Sequence, residues 1–229
     1  MIKVEKIDVN GFEAAIRGMR NPMNSWDRSD SYMGYDCHKC GRIDREGICE
    51  PKKHDCSEYY GIEIGKNDLD LMRRLYKAGT EHRKYLRMIH VTMDVTAPLY
   101  WWKEYDTYKV STVANSCSTM HKIHAKEFTL DDFSTDHLTP VSMECLNIII
   151  DHLNVARNYF INTKDKAAWW QMIQLLPTSY NQKRTLDLSY ETIINIIHQR
   201  TGHKLDEWNL LVEELKKLPY LAEIMNGEE

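Results

Sequence analysis

Across residues 87–95 the apolar side chains of Ile89, Val91, Met93 and Val95 alternate with Met88, His90, Thr92 and Asp94. A period of two puts one set on a single face of an extended strand, and that face is apolar at every position. Pro98 cannot donate to a sheet ladder and ends the run. Any fold for this chain must therefore cover at least one strand, and the segments around it have the period of helices.

Residues 67–79 read as a helix capped by Asn67 or Asp68, with Leu69, Met72 and Leu75 on one face and Gly79 as the stop. Residues 141–162, 164–176 and 189–200 are three further helical candidates, the last carrying Ile193, Ile194, Ile196 and Ile197 with Gly202 beyond its end. An amphipathic helix over about 204–218 stops at Pro219. At the start, a strand over residues 4–9 ends at Asn10-Gly11 and leads into a helix over 12–19. Residues 99–120 follow neither period. The sum is an α+β domain with more helix than strand, its C-terminal half helix-rich.

No Pro-, Gly- or Ser-rich linker divides the 229 residues, so the chain is expected to form a single domain over 1–229. Residues 21–66, polar and rich in Asp, Gly, Ser and Cys, read as a long loop or insertion, the kind of segment that carries function. Four of the six cysteines crowd into it. The N-terminus lacks the apolar stretch of an export signal and nowhere do eighteen apolar residues run together, which implies a cytoplasmic protein with reduced thiols and no membrane span. Cys37, Cys40, Cys49 and Cys56 could close a tetrahedral zinc site that staples the loop; free cysteines are the alternative. No thioredoxin-like βαβ pattern surrounds the Cys37–Cys40 pair to support a redox role. A net charge of -4 argues against a protein held on nucleic acid by bulk electrostatics. Phosphate-loop, zincin and serine-hydrolase motifs are absent from the sequence.

Taken in order, the helix at 67–79, Lys77-Ala78-Gly79-Thr80-Glu81-His82, the alternating strand, Ala97-Pro98, a polar loop, and Leu176-Pro177 before a helix ending at Arg200 resemble the flavin-dependent thymidylate synthase (ThyX-like) family over about residues 67–208. His82 matches the histidine ahead of the family's strand, while Arg87 stands where the family has a glutamate. Lys103-Glu104 take the place of its Arg-Gln. Lys109, Thr112, Asn115 and Ser118 are matches or chemical replacements in its arginine-rich motif, whereas Thr107 and Tyr108 are not. In the late helix Asn195 and Arg200 fall on the family's later Asn and closing Arg.

The resemblance implies an antiparallel sheet packed with several helices, in a homotetramer whose sites lie between subunits. It implies methylation of deoxyuridylate (dUMP) to dTMP, with methylenetetrahydrofolate as carbon donor, FAD as hydride source and NADPH as co-substrate. Carried over residue by residue, FAD falls to His82, Lys84, Arg87, Lys109, Thr112 and Asn195, and the pyrimidine deoxynucleotide to Lys103, Glu104, Asn115, Ser118 and Arg200. No catalytic residue is assigned.

Each of these has a plainer reading. Arginine forks bind phosphate and the uracil edge bidentately, and lysine or threonine cannot reproduce that geometry. Nucleotide binding is thus expected to outlast full synthase activity, and a non-catalytic homo-oligomeric binding or assembly protein with a zinc-stapled loop is the alternative. His82, Arg83, Lys84 and Arg87 are a phosphate site or a solvated basic edge. Trp101, Trp102 and Tyr105 are expected to pack rather than stack on a ligand. Asn115 to Ser118 suits a plain turn almost as well as a phosphate, and Arg200 suits the C-terminal end of a helix dipole. His121 and His124 are expected to face solvent.

Overall fold

The structure, a computed structural model, describes residues 2–35 and 60–226. In chain order its elements are β1 (Lys3–Asn10), α1 (Phe12–Arg20), β2 (Tyr32–Tyr35), β3 (Tyr60–Glu63), α2 (Lys66–Lys77), β4 (His90–Pro98), α3 (Leu99–Tyr105), β5 (Thr112–Ser116), α4 (Pro140–Thr163), α5 (Lys166–Leu175), β6 (Asn181–Ser189), α6 (Tyr190–Arg200), α7 (Asp206–Leu215) and α8 (Leu221–Asn226). They form two compact units, Met1–Val9 with Val91–Lys216, and Asn10–His90 with Lys217–Glu229.

The first unit is built on a four-stranded sheet in the order β1-β4-β6-β5. The alternation that marks β4 is realised in full: Val91, Met93, Val95 and Ala97 are buried and the residues between them are half-exposed. The strand begins later than residue 87, because residues 84–87 form a 3-10 turn, and it runs on through Pro98. Pro98 then caps α3, whose first free amides are taken from outside the helix: Leu99 N–H donates to Tyr180 O and Tyr100 N–H to Thr178 O, both 3.0 Å. β5 and β6 pair antiparallel, Thr112 opposite Leu188 and Ser116 opposite Arg184.

Strand β6 has no counterpart in the reading of the sequence. Its nine residues, NQKRTLDLS, bury only Gln182, Leu186, Leu188 and Ser189, so no clean alternation announces it. Its cations are paired instead. Lys183 lies 2.9 Å from Asp94, and Arg184 lies 2.7 Å from Asp106 with its guanidinium 4.1 Å from the Trp102 ring centre.

Helix ends follow local chemistry. Thr139 caps α4 through the Ser142 amide with Pro140 just inside the start, and Asp165 caps α5 through the Ala167 amide. Ser189 caps α6 through the Thr192 amide. α6 buries Tyr190, Ile193, Ile194, Ile196 and Ile197, and α7 buries Trp208, Leu211, Val212 and Leu215. Trp101 and Trp102 are indeed core: Trp101 stacks on Tyr105 at 5.3 Å and meets Trp208 at 4.6 Å, while Trp102 Nε1 donates to Gln182 O at 3.0 Å. A second cluster, with Phe128, Phe133, Leu146, Ile150, Leu153 and Met172 buried, joins α4 and α5.

In the second unit, α1, α2 and α8 accompany the antiparallel β2–β3 hairpin, in which Tyr32 faces Glu63 and Tyr35 faces Tyr60. That hairpin and two 3-10 turns (Asn21–Met23 and Trp26–Arg28) occupy the described part of the expected loop. Arg20 and Asp68, both buried, are 2.6 Å apart, and Asp68 also accepts from the Ser29 and Ser31 hydroxyls at 2.7 Å. Gly11 opens α1 at φ 94°; a Cβ there would sit 2.0 Å from the Met88 carbonyl oxygen. Of the helix expected over 204–218, α7 keeps Asp206–Leu215, and the short α8 follows beyond Pro219.

Candidate functional site

Helix α3 turns Trp101, Trp102 and Tyr105 into the core and leaves Lys103 exposed and Glu104 half-buried on the other side. The last turn of α6 brings Arg200 to meet Glu104. Glu104 Oε2 accepts from Arg200 Nη1 at 3.0 Å and from Trp208 Nε1 at 3.0 Å, with His203 Nε2 at 3.6 Å. Arg200 Nε donates to the Tyr108 hydroxyl at 2.8 Å, which donates on to Gln199 Oε1 at 2.9 Å. The guanidinium carbon lies 4.5 Å from the Trp208 ring centre and 5.5 Å from that of Tyr108, within cation–π range of both.

His203 is oriented from behind. The Leu205 amide donates to its Nδ1 at 3.1 Å, and its Nε2 lies 3.2 Å from Arg200 Nη1 as well as near Glu104. Two atoms of the ion pair stay unspent: among the described residues, Glu104 Oε1 and Arg200 Nη2 carry no hydrogen bond. One is an acceptor and the other a donor.

A second feature of the same unit is a cavity of about 520 Å³ whose lining includes Thr96, Ser118, Lys122, Lys126, Tyr180 and Lys183. Ser118 Oγ accepts from the His121 and Met120 amides at 2.9 and 3.2 Å, so the hydroxyl shapes a turn at the rim. Lys126 is paired with Asp132, which raises its pKa. The Asp94 carboxyl is held below the usual range by hydrogen bonds from Lys183 and then Thr185, and Lys183 is raised in return. Burial pushes the Tyr180 hydroxyl up.

Of the residues singled out in the sequence, Glu104 and Arg200 are brought together. Thr112 donates to Tyr108 O at 2.7 Å, and Lys109 is exposed three residues before it. Asn115 is exposed opposite Thr185 in the β5–β6 ladder, Ser118 lies at the cavity, and Asn195 is half-buried in the middle of α6. His82, Lys84 and Arg87 belong to the other unit, where all three are exposed on the turns after α2. Cys37, Cys40, Cys49 and Cys56 lie outside the described residues. Tyr108, His203 and Trp208, which complete the Glu104–Arg200 cluster, were absent from the expected set. Tyr108 lies between α3 and β5, His203 between α6 and α7, and Trp208 in the first turn of α7, so no shared local pattern marks them.

No protein-family model matches the chain, and no curated protein matches it. Its fold is similar to that of solved flavin-dependent thymidylate synthases. The ThyX of Helicobacter pylori complexed with FAD and dUMP is 14% identical, aligned over 96% of this chain and 96% of that one with a TM-score of 0.59. A second structure of Helicobacter pylori ThyX with FAD and dUMP is 15% identical, over 97% and 96%, with a TM-score of 0.60.

Proposed function

We propose that this chain is a thymidylate-synthase-like flavoprotein that binds FAD and a pyrimidine deoxynucleotide as a homo-oligomer, a tetramer by resemblance. The observation that carries the reading is the Glu104–Arg200 pair, at positions the resemblance assigns to the nucleotide, within a fold similar over nearly its full length to synthases that bind FAD and dUMP. Glu104 Oε1 would accept from the N3–H of a neutral uracil ring and Arg200 Nη2 would donate to a neighbouring carbonyl, with Lys103, Asn115 and Ser118 as further contacts.

The residues proposed for FAD fit an anionic dinucleotide in one respect. Lys84 and Lys109 are exposed and, among the described residues, neither has a carboxylate partner, so each keeps its charge available to a phosphate. His82, Arg87, Thr112 and Asn195 complete the set. When bound, the flavin supplies hydride chemistry; the chain's own residues supply position and charge. The full reaction would methylate dUMP to dTMP, with methylenetetrahydrofolate giving the carbon and NADPH the reducing equivalents.

One observation favours a second reading, a non-catalytic homo-oligomeric binding or assembly protein on the same fold with zinc on Cys37, Cys40, Cys49 and Cys56. Arg200 already spends Nε and Nη1 on Tyr108 and Glu104, so it cannot present a full fork to a ligand without breaking those bonds. The test is the visible spectrum of purified protein before and after incubation with excess FAD and desalting, followed by titration with dUMP. Retained flavin bands that dUMP perturbs are expected. A colourless protein with stoichiometric zinc would move the conclusion to the second reading.

A further inference from the structure

Helix α4 is apolar on two sides. Inward, Leu146, Ile150 and Leu153 are buried in the cluster shared with α5. Outward, Val141, Ile148, Val155 and Tyr159 are 70%, 59%, 67% and 54% exposed, and exposed Cys145 and His152 complete the same row. Steps along that row alternate between four and three residues through all six positions. Such alternation keeps side chains on one seam of a helix pair, a contact every 3.5 residues on average. Single exposed apolar residues are ordinary on a surface, but an uninterrupted seam along a 24-residue helix is a surface built to be covered.

We infer that the seam is an isologous interface in which α4 of one copy lies antiparallel against α4 of a second copy. The inference rests on the reading of the chain as a homo-oligomer and assigns the surface that joins the copies. Self-complementarity identifies the occupant. With the two-fold axis at Ile150, Val141 meets Tyr159, Cys145 meets Val155, and Ile148 meets His152, so every seam position faces another member of the same seam. Small side chains face larger ones at the outer steps. The same register brings His152 within one helical turn of Asp151 of the second copy, twice by symmetry, and opposes the helix dipoles. A parallel pairing would instead set His152 on His152 and Tyr159 on Tyr159.

The area is of the right order. In the antiparallel register residues 140–160 of the two copies overlap over ~31 Å, and a strip ~10 Å wide along them gives roughly 600 Å² over both copies. A groove of about 380 Å³ continues the surface beside Tyr159, Ala167, Gln171 and Leu175 on α4 and α5. Filling it takes the total toward the ~1,000 Å² of a specific interface.

Light scattering coupled to size exclusion tests this on the full chain. Ile148→Glu and Val155→Glu, at exposed positions, should each lower the oligomer mass while leaving the far-ultraviolet circular dichroism unchanged. A monomeric wild type would overturn this inference and the homo-oligomer together; an oligomer that survives both substitutions would overturn the seam alone. Orientation is read from Val155→Cys protein oxidised with copper phenanthroline in air. Peptide mass spectrometry should find Cys145 joined to the new cysteine between copies, whereas a Cys145–Cys145 link in the wild type would overturn the antiparallel register. Flavin retention is measured separately, so its failure would leave the mass result standing.

Discussion

Glu104 Oε2 sits 3.0 Å from Arg200 Nη1 across 96 residues of sequence, and Trp208 Nε1 donates to the same oxygen at 3.0 Å. One carboxylate oxygen thus joins α3, α6 and α7 while its partner oxygen stays open. That division makes the pair both a structural tie and a candidate recognition edge.

Glu104→Gln keeps the shape and removes the charge. Because an amide can present its carbonyl to Arg200 only by turning its NH2 toward the ligand, the acceptor offered to N3–H is lost. Affinity for dUMP should fall about ten- to hundredfold, the worth of one hydrogen bond to a charged group. Isothermal titration of the flavin-loaded protein measures it; unchanged affinity would remove Glu104 from the nucleotide site.

Removing the Asp68 side chain leaves Arg20 buried without its counter-charge. Asp68→Ala should therefore cost about 3–5 kcal/mol, the usual result of breaking a buried pair from one side. Urea unfolding of the variant against the wild type gives the figure, and a loss below ~1 kcal/mol would show that the pair is replaceable.

Acid should act through the same group. Burial pushes the Asp68 carboxyl up, but hydrogen bonds from Ser29, Ser31 and Arg20 together outweigh it and hold the pKa below the ordinary value of 3.8. A carboxyl depressed by folding contributes stability that is present above its unfolded pKa and lost as pH falls through the folded one. Unfolding free energy should decline as pH drops below about 4. Asp68→Asn should flatten that part of the profile.

Two glycines with positive φ separate backbone strain from collision. Gly11 has φ 94° and a Cβ there would meet the Met88 carbonyl oxygen at 2.0 Å, whereas Gly79 has φ 104° and nothing within 4 Å. Gly79→Ala should cost on the order of 1 kcal/mol. Gly11→Ala should cost clearly more, because backbone must also shift. Equal unfolding midpoints would refute the steric account.

The elements legible in the sequence are those whose causes are local. α4 was expected over 141–162 and spans Pro140–Thr163, because Thr139 and Pro140 mark its start chemically. α6 ends at Arg200 as its isoleucines and Gly202 imply. β6 was illegible because its polar side chains are satisfied by Asp94 and Asp106, partners far away in sequence. The site divides in the same way. Glu104 and Arg200 could be named from the resemblance, but Tyr108, His203 and Trp208 are recruited by how α3, α6 and α7 approach one another, which no local pattern encodes.

Tyr108 gives the cluster one more property. Its hydroxyl receives from Arg200 and donates to Gln199, fastening the segment between α3 and β5 to the last turn of α6. The latch uses Nε and leaves Nη2 open, so a ligand on that nitrogen would meet a guanidinium already held in place by the segment that carries Lys109.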